Sequence, residues 1–274
     1  MRKIAVPLAA AAALALGLTA CGAGSDGGSG DDDTLVVGAT AVPAGEVLDY
    51  IKKNLAEKEG LKLEVKEFTD YVLPNTALQE GSLDANLYQN VPFLENFNKT
   101  KGTDLVSVAD IYLPPMGAYS KHIKDISALK SGATVAVPNE TTNEGRALKL
   151  LAAKGLIELK KGAGVTASPA DITANPKKLT FKELEPAQLP RSLDDVDLAV
   201  INSNYALDAG LDPAKDSVLL ESVKGNEYAN VLAAKKGNED DPRVKKLAKL
   251  LTSPEVRKFI QEKYKGSVLP VTGG

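Results

Sequence analysis

After residue 33, the chain alternates between the apolar spacing of strands and that of helices. Residues 35–38 form a short apolar run typical of a buried strand, and 61–68 alternate apolar and polar residues as a half-buried strand does. Between them, 45–59 carry apolar residues at helical spacing and end before Gly60, which predicts a helix.

The same pattern continues to the C-terminus. It predicts further strands at 84–88, 105–112, 133–137, 179–184, 198–201 and 228–234, and helices at 74–80, 91–101 and 141–153 with two more near the end. Thr141 and Glu144 have the spacing of a capping box, with Thr141 as N-cap. Alternating strands and helices indicate an α/β protein with open, mostly parallel sheets. At this length we expect two lobes with a cleft at the strand ends.

The first residues predict export and lipid attachment. Arg2 and Lys3 precede an apolar run over 4–18 that ends in Leu-Thr-Ala-Cys, with Cys21 the only cysteine. A charged start and an apolar run of about 15 residues are typical of a signal peptide, since a membrane span needs about 20. We expect 1–20 to be cleaved, Cys21 to carry acyl chains such as palmitate, and 21–33 to be a flexible tether. This predicts a protein anchored at the extracytoplasmic face of the cell membrane.

Composition and motifs favour a binding protein over an enzyme. The net charge of −3 leaves no basic patch for nucleic acid. His122 is the only histidine and lies in a lysine-rich stretch, so common His/Cys metal sites are not available. The nucleophile elbow, the Walker loop and the dinucleotide-binding glycine motif are absent from the sequence. We therefore expect no catalytic residues, no metal and no cofactor.

Aromatic residues concentrate in one part of the chain. Within 68–97 lie Phe68, Tyr71, Tyr88, Phe93 and Phe97. Tyr71 follows a predicted strand, while Tyr88 and Phe93 bracket the next junction between strand and helix. Because open sheets bind ligands beyond the carboxyl ends of their strands, these side chains form either a pocket wall or lobe core.

Three polar residues are candidates for contact with a ligand. Arg146 lies early in a predicted helix, where basic residues are unusual because the helix N-terminus is already positive. It indicates either a carboxylate site, which guanidinium binds through two parallel hydrogen bonds, or an ion pair with Glu144 or another acid. Asn202 follows an apolar strand, as turn residues often do. Asn230 interrupts another strand, so its amide needs a partner.

Five segments together resemble one protein family. They are Asp-Tyr-Val-Leu-Pro-Asn at 70–75, Asp-Ala-Asn-Leu-Tyr-Gln at 84–89, Thr-Asn-Glu-Gly-Arg at 142–146, Gln-Leu-Pro-Arg-Ser-Leu-Asp-Asp at 188–195 and Ala-Val-Ile-Asn at 199–202. From residue 35 to the end, the chain resembles the NlpA-type, methionine-binding lipoproteins of bacterial ABC importers. The resemblance implies a two-lobed, type II-like periplasmic-binding-protein fold with two open sheets, flanking helices and a two-strand hinge.

The resemblance also implies boundaries and roles. Lobe 1 would comprise 34–116 and 235–274, lobe 2 would comprise 121–228, and the hinge would lie near 117–120 and 229–234. Arg146 would bind the ligand carboxylate, Asn202 and Asn230 the amino-acid head group, and Tyr71, Tyr88 and Phe93 the side chain. A thioether packs well on aromatic rings, which suits methionine.

The chain departs from the family pattern beside the ligand. Many members have Phe-Gln-His and then Pro-Tyr, where this chain has Tyr88-Gln89-Asn90 and Pro92-Phe93. Asn90 therefore takes the place of a histidine that lies by the ligand. The predicted role is delivery of methionine to an ABC permease and its ATPase. The alternatives are another small amino acid, a methionine-containing dipeptide, or an uncoupled surface lipoprotein.

Overall fold

The computed structural model of the protein describes residues 33–271, which form two α/β lobes. The predicted signal peptide and Cys21 lie outside the described residues. The strands are β1 (Thr34–Thr40), β2 (Lys62–Phe68), β3 (Ala85–Asn90), β4 (Leu105–Leu113), β5 (Gly117–Tyr119), β6 (Thr134–Pro138), β7 (Glu158–Leu159), β8 (Ile172–Ala174), β9 (Thr180–Leu184), β10 (Leu198–Ile201), β11 (Leu219–Leu220), β12 (Asn230–Lys235) and β13 (Leu269–Pro270). The α-helices are α1 (Glu46–Asn54), α2 (Leu73–Glu80), α3 (Val91–Lys101), α4 (Thr141–Ala153), α5 (Ser203–Asp208), α6 (Pro213–Asp216), α7 (Pro242–Leu251) and α8 (Pro254–Tyr264).

Each lobe is built on one mixed sheet. Lobe 1 has the strand order β13-β4-β12-β3-β1-β2, with β1 parallel to β2 and β3 and with β12 antiparallel to β3 and β4. Lobe 2 has the order β11-β5-β10-β6-β9, with β6 parallel to β9 and β10 and with β5 antiparallel to β10 and β11. The sheets contain more antiparallel strand pairs than expected because β5 and β12 each enter their sheet directly from the other lobe. Antiparallel neighbours need no crossover helix.

The strands next to the lobe boundary overlap the segments that the sequence analysis expects to form the hinge. The segment predicted as hinge at 117–120 contains β5, which is paired inside the sheet of lobe 2. The segment at 229–234 belongs mostly to β12, a central strand of lobe 1. The chain instead passes between the sheets at 114–116 and 221–229. The apolar runs at 117–119 and 231–234 do not by themselves reveal which sheet each strand joins.

Helices cover both faces of each sheet and bury its apolar side chains. In lobe 1, α1, α7 and α8 share a core on one face with β1, and α2 and α3 share a second core on the other face. In lobe 2, α4 packs on one face, while α5 and a 3₁₀ helix over Pro186–Asp194 cover the other. Each fully buried Leu, such as Leu48 or Leu148, contributes about 1.5–3 kcal/mol to the free energy of folding through removal of its side chain from water.

One predicted helix is confirmed over its whole length and another is interrupted. The helix predicted at 91–101 is α3, which begins after the N-cap Asn90 and ends at Gly102 with a left-handed φ of 67°. The helix predicted at 45–59 splits into α1 and a 3₁₀ turn over Glu57–Glu59. Leu55, at φ −124°, leaves helical geometry at the break and is buried in the lobe 1 core.

The N-cap of α4 differs from the predicted capping box. Glu140 is the N-cap, and its carboxylate accepts hydrogen bonds from the backbone N–H groups of Thr142 and Asn143, both at 3.0 Å. Thr141 is exposed and is the first helical residue. The negative carboxylate also complements the positive helix N-terminus, which a threonine hydroxyl does not do.

Replacing Glu140 by Ala should lower the free energy of unfolding by about 1–2 kcal/mol, because it removes the cap of α4. Thr141→Ala is the matched control on the neighbouring residue, and we expect it to change that free energy by less than about 0.5 kcal/mol. Urea unfolding followed by circular dichroism measures both. A larger loss for Thr141→Ala would restore the capping box predicted from the sequence.

Candidate functional site

A cavity between the lobes brings together all seven residues that the sequence analysis assigned to ligand binding. It has about 370 Å³ of space free of protein atoms, including its open mouth. Its lining comprises Tyr71, Tyr88, Gln89, Asn90, Phe93, Pro114, Asn143, Arg146, Asn202, Ser203, Asn204 and Asn230. The carboxyl ends of β3 and β10 and the N-terminus of α4 meet here, as expected for open α/β sheets.

Lobe 1 supplies an aromatic wall. The ring of Tyr71 lies 5.9 Å from that of Tyr88 and 5.8 Å from that of Phe93, and Tyr88 and Phe93 are 6.0 Å apart in an edge-to-face arrangement. These are favourable aromatic geometries. Tyr88 Oη donates to the carbonyl of Tyr71 at 2.9 Å, which holds the loop before α2 against β3. The three rings line the cavity and also pack in the lobe 1 core, so pocket wall and core are the same side chains.

Two asparagines complete the lobe 1 side, and each is partly used by the fold. Asn90 Oδ1 caps α3 by accepting from the N–H of Phe93 at 3.0 Å. Asparagine is among the preferred N-cap residues, which accounts for its place at this junction. Asn230, at the start of β12, donates through Nδ2 to the carbonyl of Tyr88 at 2.9 Å. This is the partner that its amide needed inside an apolar strand.

Lobe 2 contributes Arg146, which is buried at 3 % exposure and paired with an acid. Its Nε donates to Glu221 Oε1 at 2.9 Å, and its Nη2 donates to Glu221 Oε2 at 2.6 Å and to the carbonyl of Pro114 at 3.0 Å. The ring of Tyr228 lies 4.4 Å from the guanidinium carbon. Within the described part of the chain, Nη1 makes no hydrogen bond. Arg146 therefore has the acidic partner that one of the two alternatives expects, and it also lines the cavity.

The carboxylate of Glu221 is held ionised by this pairing. Burial alone would raise its pKa, but the Arg146 guanidinium and the N–H of Met116, 3.1 Å away, hold the pKa of Glu221 below its ordinary value. Sequence reasoning missed Glu221 because it lies 75 residues beyond Arg146, in a loop without a motif.

Asn202 presents a buried acceptor to the cavity. Its Nδ2 donates to Asn143 Oδ1 at 2.8 Å, and Asn143 Nδ2 donates in turn to Glu140 Oε2 at 2.7 Å. This chain fixes the amide so that Oδ1 of Asn202 is buried, and it has no hydrogen-bond partner among residues 33–271. A buried acceptor without a partner costs about 1–3 kcal/mol, which a ligand N–H would recover.

The lobes also touch each other directly beside the cavity. Tyr71 Oη of lobe 1 donates to Asn204 Oδ1 of lobe 2 at 2.6 Å. Tyr205 Oη of lobe 2 donates to the carbonyl of Thr69 in lobe 1 at 3.0 Å, and the rings of Tyr71 and Tyr205 are 5.1 Å apart. The described structure is thus a closed form. Sequence reasoning missed Asn143, Ser203 and Asn204, although Asn143 lies within the segment 142–146 and the other two directly follow the segment 199–202, both of which carry the family resemblance.

The described residues show neither a metal cluster nor a membrane span. Across 33–271, histidine, cysteine and acidic side chains do not gather in a group of three or more that would hold a metal ion. Over the same residues, each helix is too short or too polar to cross a bilayer. His122 is exposed and lies outside the cavity.

Two lobes on separate sheets, closed over a cavity at the strand ends, define a solute-binding protein of the periplasmic-binding-protein class. Its crossing segments and its cleft have the arrangement of that class. The chain belongs to the NlpA lipoprotein family, whose sequence model matches residues 35–272.

Relatives and solved structures agree with this assignment. The chain is 43 % identical over 241 residues to the D-methionine-binding lipoprotein MetQ of Salmonella typhimurium. The matched region covers 87 % of this chain and 89 % of MetQ. It is 43 % identical over 250 residues to Lipoprotein 28 of Escherichia coli K12, covering 90 % and 92 %. A nutrient-binding protein from Burkholderia cenocepacia, solved bound to methionine, is similar with a TM-score of 0.84 and 48 % identity, covering 87 % of this chain and all of that one.

An acidic group beside the cavity predicts a pH dependence of stability. Burial, and then the charges of Glu183 and Glu140, raise the pKa of Glu144 to about 7. The folded state therefore binds more protons than the unfolded state between about pH 4.5 and 7. Stability from this group is present at low pH and is lost as the pH rises through that window.

Glu144→Gln should remove this dependence, because glutamine stays neutral and keeps the shape of the protonated acid. Between about pH 5 and pH 8, we expect the free energy of unfolding of the wild-type protein to fall by on the order of 1 kcal/mol more than that of the variant. Urea unfolding at several pH values measures this, with Glu158→Gln at an exposed position as control. Parallel pH profiles for the wild type and Glu144→Gln would contradict the prediction.

Proposed function

We propose that this protein binds methionine in the cleft and delivers it to an ABC importer at the membrane. The observation that carries the proposal is the combination of an aromatic wall on lobe 1 with Arg146 and the unpartnered Oδ1 of Asn202 on lobe 2. An amino acid has a carboxylate that can bind Arg146 and an ammonium group that can donate to Oδ1 of Asn202. The printed names of the Salmonella and Burkholderia relatives, which refer to D-methionine and methionine, support the choice of side chain.

The proposed pose follows from the groups that the fold leaves available. Arg146 meets the ligand carboxylate through Nη1, while Asn202 Oδ1 accepts from the ammonium group. The Nδ2 of Asn90 and the Oδ1 of Asn230 are not used in the hydrogen bonds that fix these residues, so both lie at hand for the head group. The thioether packs against Tyr71, Tyr88 and Phe93, where sulfur on aromatic rings contributes about 0.3–1.5 kcal/mol.

The proposed mechanism is closure around the ligand without catalysis. The polar contacts on lobe 2 and the wall on lobe 1 reach one ligand together only when the lobes are closed, so binding shifts the population to that state. The crossing segments at 114–116 and 221–229 act as the hinge. The closed form docks on the permease, and ATP hydrolysis in the importer drives transport. A nucleophile paired with a base is not among the residues that line the cavity.

Calorimetric titration with the twenty amino acids tests the ligand. We expect methionine to bind tightest, ahead of leucine and of polar amino acids, because the wall is aromatic and the head-group contacts are common to all. Tightest binding of a polar amino acid would contradict the methionine assignment, and binding of a methionine dipeptide ahead of methionine would favour that alternative. The stereoisomers of methionine are titrated separately.

Arg146→Ala should cost more affinity than any other single change in the cavity. The ligand carboxylate loses its charged partner, and the dissociation constant should rise at least about a hundredfold, or about 3 kcal/mol. Asn202→Ala and Asn230→Ala should each cost less, since a neutral amide is the weaker partner. Lys149→Ala, one turn further along α4, is the matched control and should leave the affinity unchanged. Arg146→Ala within about threefold of the wild type would exclude the carboxylate role, provided circular dichroism shows folded protein.

We further propose that Cys21 anchors the protein through lipid at the extracytoplasmic face. The family's name as lipoproteins and the sequence before Cys21 support this. Cys21→Ser should release the protein from the membrane fraction, because one polar side chain replaces the acyl chains that give stable anchoring. Fractionation of cells grown with labelled fatty acid measures this. Equal retention of the wild type and the serine variant would exclude the anchor.

A further inference from the structure

The cavity contains one charged lining residue, and that charge is already balanced. Arg146 is the only ionic side chain among the lining residues of this cavity. Glu221 neutralises it from behind through two parallel hydrogen bonds of 2.9 and 2.6 Å, and its side chain is 12 % exposed. A buried pair of this kind brings no net charge into the cavity, although Nη1 of Arg146 is still available to a ligand carboxylate.

Two other carboxylates near the cavity, those of Glu140 and Asp70, are engaged by backbone groups. Glu140 accepts from two N–H groups at the N-terminus of α4. Asp70 accepts from the N–H groups of Val72 and Leu73 at 2.7 and 2.8 Å, ahead of α2. Helix N-termini compensate such charges locally. Glu221 is therefore the acid whose negative charge balances the positive charge of Arg146.

We propose that Glu221 is a positioning residue that makes the cavity selective for net-neutral zwitterions over anions of the same shape. This rests on the proposed function and names the charge class of its ligand. Glu221 repels the ligand carboxylate and attracts the ligand ammonium group, so the two effects offset each other for an amino acid. An anion that lacks the ammonium group keeps the attraction of Arg146 and the repulsion of Glu221, but it loses the favourable interaction between Glu221 and the ammonium group.

The same acid ties Arg146 to both segments that connect the lobes. Glu221 belongs to the second segment, at 221–229, and its Oε2 accepts from the N–H of Met116 in the first segment at 3.1 Å. Arg146 Nη2 also reaches the carbonyl of Pro114 in the first segment at 3.0 Å. Glu221 therefore fixes the position of the Arg146 guanidinium in the cleft and also balances its charge.

The experiment compares methionine with its hydroxy acid, in which a hydroxyl replaces the ammonium group and the net charge is negative. Calorimetry gives the ratio of their two dissociation constants for each variant. For the wild type we expect the hydroxy acid to bind at least about thirtyfold more weakly. Glu221→Gln keeps the size of the side chain and removes its charge, so the ratio should fall at least about tenfold, or about 1.4 kcal/mol.

Two variants serve as controls on the same segment. Glu221→Asp keeps the charge, and Glu227→Gln removes an exposed carboxylate that pairs with Lys149 at 2.9 Å. Both should leave the ratio within about threefold of the wild type. A loss of packing would weaken both ligands alike and leave the ratio unchanged, whereas a loss of charge balance changes the ratio. An unchanged ratio in Glu221→Gln, or an equal shift in Glu227→Gln, overturns the proposal.

Failure of this inference is distinguishable from failure of the proposed function. If the wild type binds another amino acid instead of methionine, the methionine assignment fails, and the ratio is then measured with that amino acid and its own hydroxy acid. If Glu221→Gln does not fold, the proposal is tested by measuring the dissociation constant of the hydroxy acid for the wild type at low and high salt. A balanced cavity predicts a change below about twofold between low and high salt, and a steep weakening overturns the proposal.

Discussion

The buried ion pair between Arg146 and Glu221 is the interaction on which the cleft depends. It joins α4 of lobe 2 to both segments that connect the lobes, through Pro114, Met116 and Glu221 itself. A lone buried guanidinium would be strongly destabilising, whereas the pair with its extra hydrogen bonds satisfies both charges. The fold can therefore hold a cationic group at the floor of a cavity between the lobes.

The two lobes contribute different kinds of contact, and the reason lies in their elements. On lobe 1, the ends of β2 and β3 place Tyr71, Tyr88 and Phe93 on a surface that continues the core. Lobe 2 places the N-terminus of α4 and the end of β10 side by side, so that polar side chains of both elements meet. An apolar wall facing a polar floor suits a ligand with a charged head and an apolar tail.

Near the cavity, two hydrogen bonds between the lobes support the closed arrangement. The hydrogen bonds from Tyr71 to Asn204 and from Tyr205 to Thr69 join the segment after β2 in lobe 1 to α5 of lobe 2. Such contacts are worth about 1 kcal/mol each, so they bias the equilibrium without locking it. A ligand that adds contacts to both lobes is then enough to shift the population, which is how binding proteins of this class work.

The sequence by itself determined the α/β class, most strands and helices, the family, and seven of the twelve residues that line the cavity. Local periodicity sets such elements, as in α3, where Asn90 and Gly102 mark both ends. It did not determine the pairing of Arg146 with Glu221, the free acceptor on Asn202, or the N-cap Glu140. Those depend on contacts between residues far apart in the chain or on small differences in backbone geometry. The segments that cross between the sheets also depend on such contacts, since β5 and β12 are assigned to a lobe by the strands with which they pair.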